Sequence, residues 1–360
     1  MKVYISCNGL GLGHVGRSLA YANKLRDRGD EVVFASWGPA VKFAKGEGYR
    51  CYRLPAVDWY DRDDGSLDFF RTVLYSPLIL YRMLKLLKEE RQIIEKEAPS
   101  VVVSDSNFGH IAAKKLGIPS IFLTHQITFR QGGKLLDKIF GFLHKSNFLK
   151  ADKICINDLK YPDNIYSLSV LENEKAICVG PLIRVNPGIQ QKKNKKKMCF
   201  ILVSGPKQSP YAFEKEILGV EDELHGMEDW EFVIKTPSEI EGKGNIRYVR
   251  WLDSVHEYLC KCDVFVSRSG YSTVCDALAY ARKSIFIPQI NQREQEIIAD
   301  YLDKKQMAVA LEQGEMKKLP GLIKESYENT KMQEKLDEFS SLIGKNKGAE
   351  NIIRVIDDLK

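Results

Sequence analysis

Two glycine-rich turns constrain this chain more than any other feature, because each follows an apolar, strand-like run and precedes a helical pattern. The first, CNGLGLGHVGRS, follows Lys2-Val3-Tyr4-Ile5-Ser6; the second, SGPKQS, follows Met198-Cys199-Phe200-Ile201-Leu202-Val203. Strand, glycine turn and helix in succession leave backbone N–H groups and a positive helix end aimed at one point, which suits an anion such as a phosphate. Two such turns, one near the start of each half, predict an α/β chain. It is expected to form two Rossmann-like domains with parallel sheets facing a cleft.

The pattern along the chain agrees. In the first half, strand-like runs at 3–7, 31–36, 100–104, 120–124, 153–156 and 176–179 alternate with helical runs at 17–28, 40–45 and 111–116. Uninterrupted β-branched strands alternating with helices mark a parallel sheet covered on both faces. Residues 186–197 (NPGIQQKKNKKK) then break the pattern, with Pro, Gly and lysines and almost no apolar content, and read as a linker or exposed loop. Strand-like runs resume at 199–204, 230–235, 245–249, 264–267, 284–288 and 307–311, with helices at 272–281 and 292–304 and a helical end over 331–360. The expected organisation is an N-terminal domain over 1–184, a linker over 185–197, a C-terminal domain over 198–340, and a last helix over 341–360 placed to pack back on the N-terminal domain.

Composition removes several function classes. The net charge of +6 over 360 residues permits anionic substrates or lipid head groups without demanding nucleic acid. The lysine cluster has no interleaved aromatics and reads as a solvated loop, so no nucleic-acid partner is expected. Eight scattered cysteines without paired CxxC motifs argue against a zinc site or a disulfide framework and for reduced thiols in a cytosol. The first strand starts at once, leaving no room for a signal peptide, and no apolar run approaches about 18 residues. A cytoplasmic location is expected.

The first turn literally satisfies G-x-G-x-x-G at Gly11, Gly13 and Gly16. A dinucleotide site also needs an acid at the end of the second strand, and that strand ends in Ser36-Trp37-Gly38. Nicotinamide or flavin chemistry is therefore not expected. His14 in the same turn reads either as a helix-start histidine that caps or packs, or as a general base taking a proton from a hydroxyl. Asp105, ending another strand in SDSNFG, reads either as the carboxylate orienting that base or as the N-cap of the following helix. In the second half, Ser267-Arg268-Ser269-Gly270 lies between a strand and a helix and offers another anion site. Asp276 sits in that helix's first turns, where it either complements the macrodipole or binds a ligand. Asn291, Gln292, Glu294 and Gln295 form either a sugar-binding polar cluster or an ordinary helix start.

Taken together, these residues resemble the GT-B glycosyltransferases, in particular the MurG-type N-acetylglucosaminyltransferases and related UDP-sugar enzymes. The likeness is strongest over 250–311, where SRSG, the T-V-x-[DE] helix and a final [DE]-Q pair stand in order. It implies that Ser269 and Gly270 approach a diphosphate, Asp276 accepts from ribose hydroxyls, and Glu294 with Gln295 holds the donor sugar. The backbone around Trp251 and Leu252 would read the uracil edge. SGPKQS is similar to the G-G-S-Q-G turn, implying diphosphate contacts by Gly205, Gln208 and Ser209. VGPLIR resembles G-N-P-[VI]-R and implies Arg184 beside the phosphates. CNGLGLGHVGRS resembles the acceptor-side turn G-G-T-G-G-H, which makes Gly11 and Gly13 an acceptor-side loop and His14 the base. Asp105 matches the secondary-metabolite UDP-sugar transferases, which pair an aspartate with their histidine. LTHQI matches MurG's H-E-Q-N segment only in part, with His125 where a glutamate neighbourhood is expected, and this points away from the lipid II precursor as acceptor.

The resemblance thus implies acceptor binding by residues 1–184, nucleotide-sugar binding by 198–340, and inverting transfer from a UDP-sugar, with helix dipoles, N–H groups and Arg184 at the leaving diphosphate. UDP-sugar is then a substrate, and with no DxD-like cluster neither metal nor cofactor is expected. Alternatives are a GT-B-fold UDP-sugar epimerase, which needs more cleft carboxylates than the sequence offers, and a nucleotide-sugar-binding protein without turnover. Two stretches, 69–87 and 129–150, mix apolar and basic residues. On a helix, Leu135, Leu136, Ile139, Phe140 and Leu143 make an apolar face rimmed by Lys134, Lys138 and Lys145. Such a face either lies on an anionic membrane surface, the inner face of the cell membrane, or packs against the sheet or a second subunit.

Overall fold

The computed structural model describes residues 1–57, 60, 62, 68–128, 134–184, 196–205, 208–252 and 254–360, and the chain divides into two compact units. The first comprises Met1–Tyr60, Asp68–Arg184 and Asn346–Lys360; the second is mainly Val185–Lys345.

In the first unit the chain runs β1 (Lys2–Cys7), α1 (Leu12–Asp27), β2 (Glu31–Ser36), α2 (Pro39–Gly46), β3 (Arg50–Arg53), α3 (Phe69–Leu74), α4 (Ser76–Glu97), β4 (Val101–Asp105), α5 (Gly109–Lys115), β5 (Ser120–Thr124), α6 (Lys134–Phe148), β6 (Lys153–Ile156) and β7 (Ala176–Cys178). These strands form one parallel sheet in the order β3-β2-β1-β4-β5-β6-β7. Strands such as VVVSD and SIFLT are buried at every residue, which is why they read as continuous apolar runs.

The second unit follows with β8 (Lys197–Leu202), α7 (Ser209–Leu218), α8 (Glu221–His225), β9 (Trp230–Lys235), β10 (Ile246–Val249), α9 (Val255–Leu259), β11 (Val264–Ser267), α10 (Tyr271–Ala279), β12 (Lys283–Phe286), α11 (Arg293–Lys304), β13 (Val309–Ala310), α12 (Leu319–Glu328) and α13 (Thr330–Asn346). Its parallel sheet has the order β10-β9-β8-β11-β12-β13. The chain then returns to the first unit as α14 (Gly348–Asp357), whose Ile352, Val355 and Ile356 join the core around β1, β2 and α1.

Both sheets reverse their strand order at one place, between β1 and β4 in the first unit and between β8 and β11 in the second. In an open parallel sheet, ligands bind at that switch point, beyond the carboxyl ends of the strands. Both glycine turns follow a switch-point strand, β1 and β8.

Several sequence expectations shift. Helix α1 begins at Leu12 and not at 17, because Gly11 takes an extended N-cap conformation and a glycine- and histidine-rich first turn carries no apolar periodicity. His14 is therefore inside the helix. The strand expected at 100–104 runs to Asp105. The expected boundary at 340/341 falls inside α13, whose buried Met332, Leu336, Phe339 and Ile343 carry one apolar stripe across it. Of the expected linker, 185–195 lie outside the described residues, and Lys197 is already the first residue of β8.

Candidate active site

The first-unit site is assembled from a helix start and a strand end. β1 and β4 pair in register, with Cys7 opposite Asp105, so the β1–α1 turn and the end of β4 share the carboxyl edge of the sheet. His14 Nδ1 lies 2.9 Å from Asp105 Oδ1. Asp105 is fully buried and its carboxylate is heavily engaged. Arg17 Nε donates to Oδ2 at 2.8 Å, Ser18 Oγ donates to Oδ2 at 3.0 Å, and Arg17 Nη2 contacts Oδ1. Arg17 Nη1 also lies 3.0 Å from His125 Nδ1, and both residues are buried. The helix after β4 takes Phe108 and not Asp105 as its N-cap, and the Asp105 carboxylate faces His14 and Arg17 instead.

The electrostatics follow from burial and from Arg17. Burial alone would raise Asp105, but the charge and hydrogen bonds of Arg17 and His14 outweigh it and hold the carboxyl well below its ordinary range. Burial and the Arg17 charge push the His14 imidazole below the ordinary 6.5, against the pull of Asp105. The ring is thus neutral near pH 7, and 24% of its side chain is exposed. A neutral, partly open imidazole held by a buried carboxylate can accept a proton from a bound hydroxyl.

The glycines of this turn do different work from one another. A Cβ on Gly9 would sit 2.2 Å from the Trp37 carbonyl oxygen, whereas around Gly11 and Gly16 nothing lies within 4 Å. Gly9 lets the turn press against buried Trp37, the residue standing where a dinucleotide site needs its acid. Gly11 caps α1, and Gly13 lies exposed in its first turn.

In the second unit, four turns follow the carboxyl ends of parallel strands and so share one edge of the sheet. After β8, Gly205 adopts φ +139°, a conformation few side chains tolerate, and a Cβ there would lie 2.7 Å from Ser209 Oγ. The Ser209 hydroxyl is buried at the start of α7 and has no hydrogen-bond partner among the described residues. Gln208 is the exposed N-cap of that helix; the intervening residues 206 and 207 lie outside the described residues. After β11, Gly270 caps α10, and Ser269 Oγ donates to the Gln295 carbonyl at 2.8 Å. Asp276 is half-buried on α10. After β12, half-buried Glu294 lies in the first turn of α11, and Gln295 Oε1 accepts from the Gln289 N–H at 3.0 Å. After β10, Trp251 is exposed and Leu252 half-buried.

Arg184 belongs to the first unit, where it pairs with Glu47 at 2.5 Å and lies over the Phe43 ring at 5.4 Å. Its place in a motif says nothing of a carboxylate so distant in sequence. Conversely, sequence reasoning gave no role to Arg17 or Ser18, and named Arg268 only as a member of its turn. Arg17 stands three residues after His14, one helical turn on the same face, a signal hidden by starting α1 too late. Arg268 is buried with its guanidinium 4.4 Å over Phe213 of α7, and Nη1 donates to the Ile287 and Pro288 carbonyls, each at 3.1 Å. Burial pulls it down to about 10, and Nε and Nη2 have no partner among the described residues.

Residues 224–353 match the family model described as the glycosyltransferase family 28 C-terminal domain. The chain is 26% identical to an uncharacterized glycosyltransferase of Methanosarcina acetivorans, over 85% of this chain and 84% of that protein. It is 22% identical to the UDP-N-acetylglucosamine–N-acetylmuramyl-(pentapeptide) pyrophosphoryl-undecaprenol N-acetylglucosamine transferase of Clostridium tetani, over 99% of this chain and 98% of that one. Among solved structures, a glycosyltransferase of Streptomyces sp. SF2575 complexed with thymidine diphosphate superimposes with a TM-score of 0.70, at 17% identity over 99% of both chains. MurG of Acinetobacter baumannii gives 0.62, at 15% identity over 99% of both chains. At such identities the structural likeness speaks for the fold alone: parallel sheets with flanking helices of the GT-B type. Residues 224–353 are thus similar to the glycosyltransferase family 28 C-terminal domain, in a chain of GT-B fold that is similar throughout its length to glycosyltransferases, the MurG type among them.

Proposed function

We propose that this protein is an inverting glycosyltransferase that moves a hexose or N-acetylhexosamine from a UDP-sugar to an acceptor hydroxyl. The observation that carries the reading is the His14–Asp105 pair, 2.9 Å apart at the switch point of the first sheet. His14 takes the acceptor's proton, and the acceptor oxygen forms its bond to the anomeric carbon. The bond from that carbon to the diphosphate oxygen breaks on the opposite face, and UDP leaves with the electron pair. No covalent enzyme intermediate is needed. The second unit holds the donor. Gly205, Gln208 and Ser209 with Ser269 and Gly270 meet the diphosphate, where N–H groups and the α7 and α10 dipoles stabilise the leaving charge. The buried Ser209 hydroxyl, without a partner among the described residues, supports this assignment, since such a donor suits an anion. Asp276 receives the ribose hydroxyls, Glu294 and Gln295 face the sugar, and the Trp251–Leu252 backbone reads the uracil. The relatives named for UDP-N-acetylglucosamine support UDP as the nucleotide. Arg184 stands beside the phosphates in this reading, its guanidinium having N–H groups besides the Nη2 that meets Glu47.

The acceptor in this reading is lipid-linked, and the protein works on the inner face of the cell membrane. Support comes from the amino-terminal half of α4, where Leu80, Tyr81 and Leu84 are 52%, 62% and 57% exposed beside exposed Lys85 and Lys88. On α6, Phe142 and Leu143 are exposed, as are Lys138 and Lys145. The side chains of Lys134, Leu135, Leu136, Ile139 and Phe140 lie outside the described residues.

The test combines donor binding with turnover. UDP at about 1,000-fold its dissociation constant should add about 4 kcal/mol of apparent stability. UDP release from UDP-N-acetylglucosamine, with a detergent extract of membrane lipids as acceptor source, should fall by about 10²–10⁴-fold in His14→Ala while the UDP shift stays intact. No shift with UDP, or unchanged release in the variant, overturns the reading.

A further inference from the structure

The ring nitrogen of His14 that faces Asp105 has two suitors. Nδ1 lies 2.9 Å from Asp105 Oδ1 and also 2.9 Å from Arg17 Nη2. A neutral imidazole nitrogen either donates or accepts, so one of these contacts sets the tautomer. If Arg17 donated to Nδ1, the nitrogen lone pair would face a carboxylate oxygen at 2.9 Å with no proton between them, and the ring's only proton would sit on Nε2. His14 could not then act as a base at its exposed side. If Nδ1–H donates to Oδ1, the imidazole proton meets an acceptor and the carboxylate keeps all its donors. Oδ1 then accepts from His14 and from Arg17 Nη2, and Oδ2 accepts from Arg17 Nε and Ser18 Oγ, which fills the acceptor directions of the carboxylate. The remaining Nη2 hydrogen has Ser106 Oγ at 3.4 Å, and Nη1 is held by His125 Nδ1 at 3.0 Å.

We propose that Arg17 is the positioning residue of this site: its buried fork, braced by His125, clamps the Asp105 carboxylate so that the His14 proton stays on Nδ1 and the Nε2 lone pair is presented outward. The functional weight of this inference rests on the reading of His14 as the base. Arg17 also makes the site electrically neutral, where a bare histidine–aspartate pair is anionic. Its charge opposes protonation of the ring, which keeps the lone pair available into mildly acid solution. The charged and titratable groups facing His14 are Arg17 on its own helix, Asp105 from β4 and His125 from the segment after β5. Cys7 of β1 and Tyr21 of α1 face Asp105, and burial raises both so far that they stay neutral.

The experiment is nitrogen-15 histidine NMR on the full chain, which has six histidines, with His14→Ala subtracted to assign the signal. In the wild type, His14 should be the Nδ1–H tautomer when neutral and should titrate below 6.5. Arg17→Gln should raise that titration by about 1 pH unit or more and mix the tautomers. Arg17→Lys, which keeps the charge and loses the fork, should mix the tautomers while leaving the titration low. A wild-type His14 protonated on Nε2, or an Arg17→Lys spectrum identical to wild type, overturns the proposal, and the second outcome remains readable if Arg17→Gln fails to fold. Because the spectra need no substrate, a clamp that holds while His14→Ala leaves UDP release unchanged would reject the base reading alone.

Discussion

At the scale of single residues, one buried charge pair organises the first unit's site. Arg17 is 4% exposed and Asp105 is fully buried, so neither tolerates loss of the other. Removing one partner of such a pair leaves a buried charge without compensation, which costs roughly 3–5 kcal/mol. Asp105→Asn is therefore expected to lower unfolding stability by that amount at pH 7, measured by urea denaturation. The pH dependence has a definite sign. The folded-state value of Asp105 lies below the unfolded one of about 3.9, so its contribution is complete above that value and is lost only as pH falls through the folded value. The gap between wild type and variant should stay constant from about pH 8 to 6.5, widen where His14 titrates because Asp105 favours its protonation, and close only in stronger acid. A gap under about 1 kcal/mol, or one closing near pH 6.5, would contradict the clamp. Arg17 also illustrates why this site was half-legible: His14 and Asp105 announce themselves by residue type and position, whereas an arginine in a helix reads as surface until its partner across the sheet is known.

At the scale of elements, α4 is divided. Leu86, Glu90 and Ile94 bury its carboxyl-terminal half, while Leu80, Tyr81 and Leu84 leave its amino-terminal half apolar and open to solvent. Scattered exposed apolar residues are ordinary, whereas several close together beside lysines are what the proposed membrane contact requires. Vesicles of phosphatidylglycerol should co-sediment the protein at low salt, and vesicles of phosphatidylcholine should not. Each basic residue near the surface contributes roughly 1 kcal/mol that added salt screens. The triple variant Leu80→Ser, Tyr81→Ser, Leu84→Ser should lose most of this binding and keep its UDP shift. Equal sedimentation of wild type and variant would remove the membrane from the proposed function. The helix starts show the same limit as Arg17. α7 and α10 follow their strands as the sequence patterns imply, yet the link between Ser269 and the Gln295 carbonyl depends on β11 and β12 lying side by side.

At the scale of the whole molecule, the chain leaves its first unit at Arg184 and comes back to it at Asn346. Helix α14 brings Ile352, Val355 and Ile356 into the core formed by β1, β2 and α1. Full burial of such side chains is worth roughly 1.5–3 kcal/mol each, an upper estimate because the unfolded chain already buries some surface. Their sum is comparable with the whole stability of a typical domain. Ending the chain at Asn346 is therefore expected to unfold the first unit, seen by calorimetry as loss or a large downward shift of one transition, while the UDP-dependent transition of the second unit persists. A truncated chain that melts like wild type would show that α14 contributes little.

By itself the sequence determined the class of fold, since fully buried parallel strands must be apolar along their length and must alternate with helices, and it marked the glycine turns on which the proposed site is built. Those are local consequences of backbone chemistry. Only the tertiary structure decided that Arg17 clamps Asp105, that Arg184 pairs with Glu47, and that the last helix completes the first core. Each of these joins residues far apart in the chain, and charge pairing and burial depend on which groups the fold brings within a few ångströms, a distance that spacing along a sequence does not encode.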